Sequence, residues 1–511
     1  MMKSATPFDL VPLEGCLDPG ENNYRIGIID IGSNTVRMVV YDAPARLPVP
    51  IFNERAICAL GKGIDITGYL DPAGKELAFQ ALLRFCGLAN KMKVGQFRIL
   101  ATAAVRDAKD GAEFAKQVEK RFGYAVKILS GKEEAHLGAR GILGGQPYAD
   151  GLFGDIGGGS LDLVLLNTGK FGDSDTLPLG HLRITEAAEG SLKKAQKIID
   201  NNLSTVKWLS KIEGRNFYAV GGIWRVIARI YIQQNDYPLH LIDNLTIGVE
   251  AARDLTEIIS KLSKRSLEGM IGIAKRRADT LPFSALTLNR ILKLAKPKQL
   301  IFSGYGLREG QFFELLPPEM KNQDPLISAC EGFANRSGRF ALHGAEILNW
   351  VMPLFPEATE REVRILKAAA LLSDIGWTEH PDYRALHSFI RILRLPVAGI
   401  SHRDRAMIAM TVFFRYDGPK GQYEVKEVRP LIRDGDQSLA IVMGAALRLA
   451  HVLAAGVPSL LAQTSLTIKN KGLVLDLGHN SNLFKSEAVI KLAKYLADTI
   501  KVKIFIVAAQ S

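Results

Sequence analysis

The same Asp-Ile-Gly hairpin is written twice into this chain, and that repeat constrains the fold more than any other feature. A β-type run from Tyr24 ends at Asp30-Ile31. Gly32-Ser33-Asn34-Thr35 breaks it, and the apolar run Val36 to Tyr41 follows. Further along, Leu152 leads to Asp155-Ile156, then Gly157-Gly158-Gly159-Ser160, then the apolar run Leu161 to Leu166. Each copy reads as strand, tight turn, strand. Asp30 and Asp155 hold equivalent positions. Two copies of one hairpin at domain spacing imply a duplicated α/β unit with a cleft between the copies.

Local patterns fill in the remainder. A helix is expected near Lys75–Lys93, a short buried strand over Phe97–Ala101, a helix over Asp107–Phe122 and a strand over Ala125–Leu129. Two more glycine turns each end an apolar strand and open a helix: Phe217 to Gly221-Gly222, and Leu300 to Ser303-Gly304, continuing through Tyr305 to Gly310. That geometry aims backbone N–H groups at an anion. After Pro317-Pro318 the pattern turns helical as far as Leu461. It then reverts to strands over Thr464–Ile468 and Leu473–Leu477, a helix over Ser486–Thr499 and a strand over Lys501–Val507. A chain of 511 residues exceeds what one core supports. The expected segments are a Pro-, Gly- and Asp-rich arm over 1–22, α/β domains over 23–137 and 138–315, a helical domain over 320–463, and a small α/β domain over 464–511.

Composition excludes several classes. A hydrophobic share of 47% and a mean hydropathy of +0.06 fit a globular chain, not a fibre, a disordered tail or a polytopic membrane protein. The most apolar stretch, Leu439 to Leu461, is interrupted by Arg448 and His451 and reads as a buried helix, so no stable membrane insertion is expected. Met1 to Glu21 lacks a long apolar core behind a basic start, so no secretory leader is expected there. The net charge of +12 is divided evenly about residue 320. It points either to an anionic partner (nucleic acid, phosphate chains or a membrane surface) or to solubility alone. Cys16, Cys58, Cys86 and Cys330 have neither zinc nor disulfide spacing, which favours a reducing cytoplasm.

Several residues could carry chemistry. Asp155 and Asp162 flank the triple-glycine turn, where paired carboxylates can hold Mg²⁺ while turn amides cradle a phosphate. Asp162 reads equally as a solvent-facing strand residue. Glu133, three residues after Ser130, fits a helix capping box, and it also fits a general base beside a phosphate site. Arg106 and Arg37 can fork onto phosphate oxygens or form surface ion pairs. In the helical domain, Leu371-Leu372-Ser373-Asp374, with His343 upstream and His380, His387 and His402 downstream, looks like the metal helix of an HD phosphohydrolase. Ser373 stands where that motif has histidine, so a working metal centre is not expected there. Arg391, Arg394, Arg403, Arg405 and Arg415 face only Asp404 in their window and could line a polyanion track or a solvated helix face.

Taken together and in order, the hairpin Asp30–Thr35, Thr102–Arg106, Ser130–Ala135, Asp155–Ser160, Val220-Gly221-Gly222 and Ser303–Gly310 resemble the exopolyphosphatase/guanosine pentaphosphate phosphohydrolase family of the long bacterial type. The resemblance spans roughly residues 22–470. It implies a duplicated actin-like ATPase (ribonuclease H-like) fold, then an all-α HD-like domain and a small C-terminal α/β domain. It implies metal-dependent release of terminal orthophosphate from inorganic polyphosphate. Glu133 matches the family's water-activating glutamate, Asp155 its magnesium aspartate and Arg106 its phosphate-contacting arginine. Asp162 replaces a position that is usually Glu. On that reading Ser33, Asn34, Arg37, Gly157, Gly158, Gly159, Ser160, Gly221, Gly222, Ser303 and Gly304 hold phosphate. Asp155 and Asp162 hold Mg²⁺ (Mn²⁺ in its place), and Arg391, Arg394, Arg403 and Arg405 form the polyphosphate track. The implied partners are polyphosphate and a second copy of the chain, with no nucleic acid. Guanosine pentaphosphate is the alternative substrate. An actin-like kinase or ATPase, and a non-catalytic phosphate-chain sensor, are the competing classes.

Overall fold

In the computed structural model, residues 25–42, 45–47, 49–270, 274–337, 344–469 and 472–508 are described. The expected arm at 1–22, with Cys16, Tyr24 and His343, lies outside them. The chain divides into two compact units. One takes in the residues up to Tyr231 together with Leu245–Lys321, and the other Ile232–Asn244 together with the residues from Asn322 onward.

The first unit holds two sheets built to one plan. Strands β1 (Ile26–Ile31), β2 (Thr35–Asp42), β3 (Val49–Ile57), β4 (Gln96–Ala101) and β5 (Val126–Ile128) lie in the order β3-β2-β1-β4-β5. Strands β6 (Gly151–Ile156), β7 (Leu161–Asn167), β8 (Lys170–Leu177), β9 (Asn216–Val220), β10 (Leu245–Gly248) and β11 (Gln299–Phe302) lie in the order β8-β7-β6-β9-β11-β10. The first three strands of each sheet form an antiparallel meander, and the next two add in parallel. Strand β10 is an extra antiparallel edge. The repeat read from the two hairpins is therefore a repeat of whole sheets. β1 and β6 read as continuous apolar runs because each is covered on both faces, as a central strand must be.

Helices Pro72–Lys91 and Gly111–Phe122 cover one face of the first sheet. The former starts at Pro72 behind Asp71, whose carboxylate accepts from Gly74 N–H, a local start signal. The opposite face is covered by Phe312 of helix Leu307–Leu315, by Leu316 just beyond its end, and by Leu137 of helix Gly131–Gly145. The chain therefore finishes the second sheet and returns to close the first. These two helices approach through glycines. A Cβ on Gly310 would lie 1.8 Å from Leu137 O, and one on Gly141 would lie 2.3 Å from Gly306 O. The boundary expected between 137 and 138 falls inside helix Gly131–Gly145, which packs on both sheets' cores.

The second unit contains helices Pro325–Ser337, Gly344–Val351, Glu360–Leu372, Arg384–Arg394, His402–Arg415 and Asp436–Ala454. Then come β12 (Ser465–Lys469), β13 (Gly472–Asp476), helix Glu487–Thr499 and β14 (Lys503–Val507), in the anticipated order. Helix Asp436–Ala454 is the one described helix long and apolar enough to cross a membrane, and 67% of its apolar window is buried in the fold. The segment Ile232–Asn244 joins this unit through His402. Its Nε2–H donates to the Asp243 carbonyl at 3.0 Å, which leaves Nδ1 to accept from the Tyr237 hydroxyl at 2.9 Å. Burial holds His402 down at about 4, consistent with this neutral tautomer.

Candidate active site

The two hairpins differ at one register position, and that difference sets the electrostatics. In the first copy Asp30 lies opposite Arg37, while in the second Asp155 lies opposite Asp162. Directly opposed residues share a sheet face, so the first copy neutralises itself and the second concentrates negative charge. Burial pushes Asp155 up to about 6 against the pull of Arg225, with Asp30 adding repulsion. Burial and the charge of Glu134 push Asp162 well above the usual carboxylate range, although it accepts from Thr176 Oγ1 at 2.7 Å. Asp162 is only 4% exposed, which removes the solvent-facing reading.

Glu133 is not part of this cluster. Ser130 and Glu133 form a complete capping box, and Glu133 pairs with Lys127 at 2.9 Å. Its side chain is 44% exposed, and the Lys127 and Ser130 bonds hold its carboxyl down at about 2. Such a group is a poor base. The next residue, Glu134, faces inward. Arg106 Nη1 donates to Glu134 Oε2 at 2.7 Å and to Leu129 O at 3.1 Å. Burial lifts Glu134 to about 7 despite Arg106, and Asp30 and Asp155 add to the lift. The glutamate that enters the cluster is therefore Glu134, one residue on from the Glu133 expected.

Two arginines missed in the sequence complete the cluster. Arg308 Nη1 donates to Asp30 Oδ2 at 2.9 Å. Arg225 sits in the first turn of the helix after Gly221-Gly222 and interacts with Arg308, Glu309 and Asp155. Burial, then Arg308 and Arg225, lower Arg37 to about 10. Glu309 anchors the loop, accepting from Tyr41 OH at 3.0 Å and from Gly306 N–H at 2.9 Å. The signal for Arg308 was its place in the Ser303–Gly310 loop. Arg225 had no local signal.

The two turns meet. Ideal Cβ atoms on Gly158 and Gly159 would lie 3.3 Å from Ser33 Cβ and Ser33 Oγ respectively. A pocket of about 150 Å³ opens at these tips, lined by Ser33, Asn34, Lys62, Gly158, Gly159 and Arg183. The N–H groups of Ser33, Asn34, Gly158 and Gly159 have no acceptor among the described residues. That leaves them available to an anion. Arg183 joins the halves, bonding Asp65 at 2.9 Å and Asp107 at 3.2 Å. Glu134, Asp155 and Arg106 do not line this pocket, but Asp155 and Asp162 lie on the two strands that carry the second turn.

Other expected contacts have structural work. Ser160 is buried and its carbonyl accepts from Gly157 N–H, closing the turn. Ser303 is buried, and its Oγ accepts from Tyr305 N–H within its own loop beside Gly304. Its side chain thus braces the turn. Gly221 has φ +120°, and a Cβ there would lie 2.7 Å from Ile156 O, so it permits close strand approach. The Gly222 carbonyl accepts from Arg277. The arginine track is reduced as well. Arg405 is 4% exposed and donates to the carbonyls of Ile392, Leu395 and Val397. It therefore serves the interior of its own unit. Arg403 is paired with Asp436 at 2.7 Å. Arg391 and Arg394 are exposed, the former also donating to Ile375 O. At the Ser373-Asp374 position read from the sequence as resembling an HD motif, Ser373 Oγ lies 2.6 Å from His451 Nε2 and donates to Ala370 O.

Among the described residues no group of three or more histidine, cysteine or carboxylate side chains could hold a metal ion alone. The Asp155–Asp162 pair still suits Mg²⁺. It offers hard oxygens on one sheet face, both carboxyls are raised by burial, and Mg²⁺ characteristically takes one or two carboxylates and completes its shell with water and phosphate.

The Ppx/GppA phosphatase family matches residues 39–319, and the exopolyphosphatase C-terminal family matches residues 326–504. Retrograde regulation protein 2 of Saccharomyces cerevisiae is 26% identical over 468 residues, covering 81% of this chain and 77% of that protein. Guanosine-5'-triphosphate,3'-diphosphate pyrophosphatase of Pseudoalteromonas translucida is 24% identical over 436 residues, covering 80% and 84%. Exopolyphosphatase 1 of Mycobacterium bovis is 30% identical over 167 residues, covering 32% and 48%. A crystal structure of an exopolyphosphatase from Cytophaga hutchinsonii shares the fold at a TM-score of 0.52 and 22% identity, covering 57% of this chain and 97% of that one. The duplicated sheets are those of the actin-like ATPase fold, followed by a helical part.

Proposed function

The chain belongs to the Ppx/GppA phosphatase family, and on that premise we propose that it is an exopolyphosphatase, a phosphoanhydride hydrolase releasing orthophosphate from the end of inorganic polyphosphate. The observation that carries the reading is the convergence of Glu134, Arg106, Asp155 and Asp162, reached from two turns whose amides lack acceptors. The turn amides and Arg37 hold the terminal phosphate. Arg106 forks onto its oxygens and offsets charge that develops in transfer. Glu134, at about 7, is poised near neutrality to take a proton from the attacking water. The water oxygen bonds to the terminal phosphorus, the P–O–P bridge breaks, and the shortened chain leaves with the bridging oxygen. Asp155 and Asp162 would hold Mg²⁺, or Mn²⁺, which neutralises phosphate charge when bound.

The proposal extends to a homodimer in the cytoplasm, and three buried free cysteines support the reducing setting. The exposed Arg391 and Arg394 remain as track candidates within their own unit, whose HD-like descent is inferred from Ser373-Asp374. Guanosine pentaphosphate is the second reading, favoured by the pyrophosphatase relative that matches four fifths of the chain. Phosphate release from long polyphosphate, guanosine pentaphosphate and ATP, each with and without Mg²⁺, is the test. Mg²⁺-dependent release fastest from long polyphosphate is expected. Faster ATP turnover would establish the kinase or ATPase class instead, and no turnover of any substrate would leave the sensor.

A further inference from the structure

A second hollow, of about 320 Å³, lies within the second unit, lined by Trp377, Arg384, Arg415, Tyr416, Arg448 and His451. Nothing in the proposed hydrolysis uses it. Three guanidiniums border it, each fixed in place. Arg384 donates to Glu379 O at 3.0 Å and lies 4.6 Å over the Trp377 ring. Arg415 donates to Asp374 Oδ1 at 3.2 Å and lies 4.0 Å over Tyr416. Arg448 grips Asp417 through both Nη atoms.

Among the described residues the charges do not balance. Three arginines meet two carboxylates, and Arg384 pairs with no carboxylate among the described residues. Asp417 is 67% exposed, so solvent weakens its hold on Arg448 and an anion can replace it at little cost. A cation is disfavoured here. Ser373 stands beside Asp374 with its hydroxyl already engaged by His451 and Ala370, and no metal-holding group occurs among the described residues. Pre-oriented guanidinium forks match the paired oxygens of phosphate. A diphosphate has enough terminal oxygens to give each of three forks its own pair, whereas on one orthophosphate the forks must share oxygens. The volume falls at the small end of ligand pockets.

We propose that this hollow is a separate ligand site for a diphosphate group, carried by a free oligophosphate or by a nucleotide and recognised by Arg384, Arg415 and Arg448. Trp377 reports on it. The chain has four tryptophans, and Trp208, Trp224 and Trp350 are buried whereas Trp377 is 38% exposed. Titrating the full-length protein with inorganic pyrophosphate at low salt is expected to give a saturable change in emission that Trp377→Phe abolishes. The double variant Arg384→Gln/Arg448→Gln should weaken that binding at least about ten-fold, since it removes two charge-assisted contacts. The same variant should still release phosphate from polyphosphate, and its calorimetric stoichiometry should fall by one diphosphate per chain. ADP displacing pyrophosphate would assign a nucleotide, and binding of pyrophosphate and tripolyphosphate without ADP would assign an inorganic chain. Equal stoichiometry in wild type and double variant, or an emission change insensitive to the arginine substitutions, overturns the proposal. If the double variant melts early, Arg384→Gln alone carries the test, because that side chain forms no ion pair. Failure here leaves the hydrolase reading intact, since the turnover assays address the other unit.

Discussion

Glu133 and Glu134 are neighbours of the same chemical type, yet one carboxyl rests at about 2 and the other at about 7. The difference is environment. One accepts from Lys127 and Ser130 in water, while the other is buried among carboxylates with Arg106 alone holding it down. Glu134→Gln should therefore lower kcat by about 10²–10⁴, as removal of a general base does, and leave KM little changed. Glu133→Gln keeps the capping geometry and should change kcat less than two-fold, on the order of the cap's small energetic share. In wild type the rate should rise with pH through about 7 as Glu134 ionises. The stability sign runs the other way. A carboxyl raised on folding stabilises fully below its unfolded value, about 4.3, and loses that contribution as pH rises through 7. Thermal melts should thus show Glu134→Gln gaining on wild type between those values, and a constant gap would refute the assignment.

Helices Gly131–Gly145 and Leu307–Leu315 carry Glu134 and Arg308 at their first turns, so their packing sets the distance between halves of the cluster. Backbone meets backbone at that crossing, with no flexible side chain to yield. Gly310→Ala would place a methyl 1.8 Å from Leu137 O and should cost about 3 kcal/mol in denaturant unfolding, with activity falling further as the helices part. In the second unit His402 is the pH-sensitive tie. Its pKa is depressed to about 4, so protonation favours the unfolded chain, and the stabilisation is lost as pH falls from about 6.5 toward 4. Protection against hydrogen exchange in Ile232–Asn244, taken relative to the intrinsic rate at each pH, should fall over that window. Unchanged protection would mean that the Tyr237 and Asp243 bonds do not hold the segment. Elements with local signatures were legible beforehand: both hairpins, the Asp71 start and the Ser130 capping box are set by residues within a turn of one another. The return of helix Leu307–Leu315 onto the first sheet was not, because Phe312 meets Tyr41 across most of the unit's length in sequence.

At the scale of the molecule, a net charge of +12 with both signs dispersed should attract a polyanionic chain through long-range fields that salt screens. KM for long polyphosphate is expected to rise several-fold between low and physiological ionic strength while kcat holds, and a salt-independent KM would confine recognition to short-range contacts. The amino-acid order by itself determined the duplication, the turn tips and the family pattern, because strand alternation, glycine turns and caps are written in neighbouring residues. Only the folded chain decided which face of a helix meets the cleft. Successive helical residues point about 100° apart, so Glu134 rather than Glu133 enters the cluster, Arg405 turns into the interior, and Arg225 and Arg308 converge on aspartates far away in sequence. That choice depends on what packs around each helix, which no local pattern records.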